Sequence, residues 1–86
     1  MDELKGIIQF EIRDYGCVKV KLAQMLDARG ITRNRLRTLT GVKYEVIDRY
    51  YKGSNISMAD LDFLAKTCYV LGCSIEDLLE YCPPEE

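Results

Sequence analysis

The sequence predicts one small, mainly all-α domain: five short helices behind a short N-terminal β segment. Three observations carry that expectation. Gly30, Gly41, Gly53 and Gly72 each follow a segment of helical character, the place where a left-handed residue ends a helix. Both prolines fall at 83 and 84, so nothing upstream is forced to break. The run Ile8-Gln9-Phe10-Glu11-Ile12-Arg13 alternates with period two, a strand signal. With 86 residues and 48% apolar content, the chain has the balance of a single globular core near the lower size limit for folding alone.

The elements follow in order. Asp14-Tyr15-Gly16 reads as a turn and Val18-Lys19-Val20 alternates again, so residues 1–18 are expected to form a strand or short hairpin. A helix using Leu4, Ile8 and Ile12 is the alternative, with Gly6 and Phe10 against it. Residues 19–82 hold the helices. The first spans 20–29, with Leu22, Met25 and Leu26 as its apolar stripe. Thr32 caps a second over 33–40, with Leu36 and Leu39 inward. A third runs over 43–52, with Val46, Ile47 and Tyr50 on one side. Ser57-Met58-Ala59-Asp60 is a capping box opening a fourth to residue 71, whose stripe is Leu61, Leu64, Ala65, Cys68 and Leu71. Ser74-Ile75-Glu76-Asp77 is a second box, opening a short helix through residue 81.

Composition narrows the chemistry. Without histidine there is no Ser-His or Cys-His couple and no His-ligated metal, and so small a chain has little volume for a closed pocket. No enzyme, cofactor or small-molecule ligand is expected. Cysteines at 17, 68, 73 and 82 lack the paired C-x2-C spacing of a zinc site, so no metal is expected. An even count allows a disulfide framework, but nothing marks secretion. The preferred reading makes Cys68 and Cys73 small buried hydrophobes in a reducing cytoplasm. No apolar run reaches the roughly 18 residues of a membrane span.

Charge is segregated. Residues 19–53 carry nine bases and three acids, net +6, whereas 54–86 carry one base and seven acids, net −6. A cationic middle suits a polyanionic partner, and a solvated basic face is its plain alternative. That middle also contains two helices joined by a short glycine-containing turn, the helix-turn-helix arrangement.

The run Gly30-Ile31-Thr32-Arg33-x-x-Leu36, Thr40-Gly41-Val42, Ile47-x-Arg49 and Gly53, followed by Leu71-Gly72-Cys73-Ser74-Ile75-Glu76-Asp77-Leu78-Leu79, resembles the lambda-repressor/Cro-like (XRE) family of helix-turn-helix transcriptional regulators. The resemblance covers roughly residues 19–80. It implies a compact five-helix domain that binds double-stranded DNA, usually as a dimer on palindromic operators, with a reading helix over 43–52. The sequence departs from the family pattern at Arg33, usually glutamine, at Arg37, usually small, and at Lys43, usually a serine or threonine cap.

The resemblance puts Tyr44, Glu45, Asp48 and Arg49 on the groove-facing side. Arg49 suits guanine and a carboxylate suits cytosine N4. Thr32, Arg33, Arg35, Arg37, Lys43 and Lys52 are the expected phosphate contacts. A surface ion pair is the plain reading of Glu45 and Arg49, which stand four apart. Homodimerisation is expected through the N-terminal segment and the C-terminal helices, by Phe10, Phe63, Val70, Leu79 and Tyr81. A protein-interaction module on the same fold and the antitoxin partner of a toxin are the alternative functions.

Overall fold

A computed structural model describes residues 15–53 and 56–84. Among them the order is β1 (Cys17–Val20), α1 (Leu22–Arg29), α2 (Arg33–Thr40), α3 (Tyr44–Lys52), α4 (Leu61–Leu71), α5 (Ile75–Leu78) and β2 (Leu79–Cys82). This is the expected mainly helical architecture of five helices. Leu22 and Leu26 of α1, Leu36 of α2, Ile47 and Tyr50 of α3, Phe63, Leu64 and Leu71 of α4, and Leu78 of α5 form its single core. Leu39 is exposed, so only Leu36 of the expected pair on α2 points inward.

The β segment differs from expectation in its partner. β1 pairs antiparallel with β2, with Cys17 opposite Cys82 and Val20 opposite Leu79. The Lys21 N–H continues the ladder by donating to the Leu78 carbonyl at 2.7 Å. Val20 therefore belongs to the strand and the first helix starts at Leu22. At the other end, the fifth helix stops at Leu78 and not at residue 81. Leu79 turns to extended backbone because its segment satisfies its hydrogen bonds on β1. The alternating run at 8–13, including Phe10, lies outside the described residues.

The fourth helix is rotated relative to its expected face. Asp60, not Ser57, is its N-cap and accepts the N–H groups of Asp62 at 2.9 Å and Phe63 at 3.4 Å. The buried side is Phe63, Leu64, Thr67 and Leu71, whereas Leu61 is 77% exposed and Ala65 faces solvent. Tyr50 fixes this choice twice. Its ring stacks on Phe63 with centroids 4.4 Å apart, and its hydroxyl accepts the Asp60 N–H at 2.9 Å. Thr67 tolerates full burial because its hydroxyl donates to the Phe63 carbonyl at 2.9 Å. Phe63, expected at a dimer seam, is thus a core residue with no surface to offer a second chain.

The second box closes as expected on its carboxylate side. The Ser74 N–H and hydroxyl both donate to Asp77, at 3.0 and 3.2 Å, and the backbone bond first of all holds that carboxyl below its ordinary range.

Candidate nucleic-acid interface

α2 and α3 pack on one another and, through Leu36, Ile47 and Tyr50, on the rest of the core. Thr32 opens α2: its hydroxyl oxygen accepts the Arg35 N–H at 3.0 Å. Gly41 closes it at φ +74, a left-handed angle that lets its N–H bond the Arg37 carbonyl at 2.8 Å. Two residues then suffice to reach α3, because the Thr40 hydroxyl bonds back to Leu36 and accepts the Val42 N–H. Lys43 occupies the N-cap of α3 and makes no side-chain cap bond, as its chemistry requires.

The expected site residues are distributed around this unit as follows. Burial of Ile47 and Tyr50 turns Lys43, Tyr44, Glu45, Arg49 and Lys52 outward. Thr32, Arg35 and Arg37 are exposed on α2, where the Arg37 Nε donates to Asn34 at 3.1 Å. Thr32, Arg33, Asn34 and Tyr44 line one shallow concavity where the starts of the two helices meet. Among the described residues no ion pair joins Glu45 to Arg49; the Arg49 guanidinium lies 5.7 Å from the Tyr50 ring centroid.

Asp48 and Arg33, expected at a base and a phosphate, are joined to one another. Asp48 is ion-paired with Arg33 across the two helices, and with Lys52 at 3.1 Å one turn along α3. Lys52 first, then Arg33, holds the Asp48 carboxyl below its usual range. Arg33 also lies over the Tyr51 ring, 4.3 Å from its centroid. The Tyr51 hydroxyl in turn donates to Asp27 of α1 at 3.0 Å, and that bond raises its pKa. A continuous polar chain therefore runs Asp27–Tyr51–Arg33–Asp48–Lys52 and ties α1, α2 and α3 together. Sequence reading missed Tyr51 and Asp27. The offsets between these residues carry no signal until the helices are placed.

The remaining expected contacts lie elsewhere. Val70 and Leu79 are half-buried against the core, and Tyr81 on β2 is 60% exposed with its hydroxyl donating to the Tyr15 carbonyl at 2.8 Å. Among the described residues, no three Cys, Asp or Glu side chains form a group able to hold a metal, and no helix is long and apolar enough to cross a membrane.

Comparison with known proteins agrees with this geometry. No curated protein matches the chain. Its structure is similar to the crystal structure of the transcriptional regulator VanUg, with a TM-score of 0.61 and 26% identity, over 86% of this chain and 99% of that one. The family model of the Cro/C1-type HTH DNA-binding domain matches residues 21–84, which includes every helix described above. The chain belongs to the family of Cro/C1-type helix-turn-helix DNA-binding domains.

Proposed function

We propose that the chain is a sequence-specific transcriptional regulator that places α3 in the DNA major groove. The observation that carries the reading is the split of α3 into a buried side, Ile47 and Tyr50, and an outward side bearing Tyr44, Glu45 and Arg49. Arg49 reads guanine, Glu45 accepts from cytosine, and Tyr44 meets a thymine methyl or a phosphate. Asp48 already holds two cations, so its part is to orient Arg33 and Lys52. Arg33, Arg35, Arg37, Lys43 and Lys52, with Thr32 at the start of α2, face the phosphates. Two copies act together, their reading helices about 34 Å apart, one turn of DNA. Of the described residues expected at the seam, Tyr81 is the one left exposed to meet the second copy.

Binding-site selection from random DNA at fixed salt tests the reading and yields the half-site spacing. On the selected site, Arg49→Ala should cost about 1–3 kcal/mol and relax the preference at one base pair. Arg35→Ala should weaken binding on every sequence and lower the salt slope by about one unit. Equal losses for Arg49→Ala on selected and random DNA would overturn the base-reading role. A mass near 9.9 kDa by light scattering at every concentration, with or without DNA, would rule out the dimer.

A further inference from the structure

We propose that Cys17 and Cys82 form a reversible dithiol–disulfide site at the end of the β1–β2 ribbon. The two are directly opposed in the antiparallel register. Counting outward in steps of two from the 2.7 Å bond between Lys21 and Leu78 puts them at a hydrogen-bonded position of the ladder. Such positions hold Cα atoms about 5.5 Å apart, within the roughly 4.4–6.8 Å that a disulfide spans. Opposed side chains project to the same face; at a hydrogen-bonded position their Cβ atoms stand near the wide end of about 4.5–5.5 Å, so a disulfide must draw the ribbon end inward to about 3.8 Å.

The ribbon end is already close-set. Gly16, at φ +84, lies so near β2 that a Cβ there would sit 2.2 Å from the Cys82 carbonyl oxygen. Both thiols are free; Cys17 is exposed and Cys82 half-buried. The other two cysteines also adjoin, but for a structural reason. Cys73 follows the Gly72 end of α4, and its N–H bonds the Cys68 carbonyl at 3.1 Å, so the helix-ending turn itself brings the two together. Burial, ahead of its neighbour Cys68, raises the Cys73 thiol pKa, which disfavours its thiolate.

The oxidant is a small-molecule disulfide of the glutathione class. The Cys17 thiolate attacks one of its sulfurs, forms a mixed disulfide and expels one thiolate. The Cys82 thiolate then attacks the Cys17 sulfur, breaks the mixed bond and expels the second. Two protein thiols are oxidised and the small disulfide is reduced to two thiols. The two protons lost by the protein end on the expelled sulfurs. The bond closes a loop over 17–82, nearly all of the described chain, and so restricts the unfolded state.

The full reduced chain is equilibrated with mixtures of oxidised and reduced glutathione, quenched by alkylation, peptide-mapped and melted. The expected product is an intramolecular Cys17–Cys82 link that lacks two hydrogens in mass. Its thermal midpoint should rise by about 10 °C or more, and dithiothreitol should return it to the starting value. A Cys68→Ser, Cys73→Ser double variant should behave identically. Cys17→Ser and Cys82→Ser should each stop at a mixed disulfide on the remaining ribbon cysteine. Separate glutathione adducts on Cys17 and Cys82 of the unaltered chain, a link confined to Cys68 and Cys73, chain-to-chain linkage, or an unchanged midpoint would each overturn the proposal.

Discussion

Truncating Phe63 and truncating Leu61 should have very different consequences, although both are large apolar residues within one turn of α4. Phe63 is 3% exposed and stacked on Tyr50; Leu61 is 77% exposed. Removing a buried phenylalanine side chain costs about 3–5 kcal/mol through lost transfer energy and the cavity left behind. The lost ring pair adds about 0.5–1.5 kcal/mol. A chain of this length has a total stability of order 5–10 kcal/mol, so Phe63→Ala should remove about a third of it or more. At about 4–8 °C per kcal/mol, its thermal midpoint should fall by at least about 15 °C. Leu61→Ala removes contacts mainly with solvent and should stay within about 0.5 kcal/mol. Urea denaturation followed by far-ultraviolet circular dichroism measures both. If Leu61→Ala costs as much as Phe63→Ala, the rotation of α4 described above is wrong.

Lys43→Ser supplies the missing cap of α3 and should stabilise the domain by about 0.5–1 kcal/mol; chemical denaturation reads it, and a loss of stability would show that Lys43 holds the turn in some other way. Asp77 has a folded pKa held below its ordinary value by Ser74. Its contribution is therefore full above the unfolded pKa, near 4, and lost as pH falls through the folded value. Thermal melts should show Asp77→Asn destabilised at pH 7 and converging on the parent as the pH is lowered toward 2. A gap that stays constant over that range would refute the assigned cause.

The local signals in the chain were legible because each depends on a few neighbouring residues. Thr32 caps α2, and the glycines after each long helix end it, by bonds that close within one turn. The outward side of α3 was legible for the same reason, since Ile47 and Tyr50 mark the buried side. The face of α4 was not. Leu61-Leu64-Cys68-Leu71 and Phe63-Leu64-Thr67-Leu71 are both spaced for a helix, and the second contains a threonine that sequence reading counts as polar. Tyr50, on another helix, decides between them. β2 was hidden because four residues before a proline pair carry little strand signal and their partner lies at the other end of the described chain. The Arg33–Asp48 pair was invisible because it depends on how α2 sits against α3.

The ribbon between β1 and β2 also bears on the order of folding. α1, α2 and α3 follow one another through short connections, so their mutual contacts close small loops and form at little entropic cost. The ribbon joins residues from opposite ends of the described chain and must close the longest loop of all. The helical unit should therefore assemble before the strands pair. In the native state the strands should also open first, separating at a lower free energy than global unfolding. Amide exchange at Lys19 and Glu80, a hydrogen-bonded pair of the ladder, should then run ahead of exchange at Leu36 and Ile47, so that the helix-turn-helix unit stays ordered while the ribbon breathes.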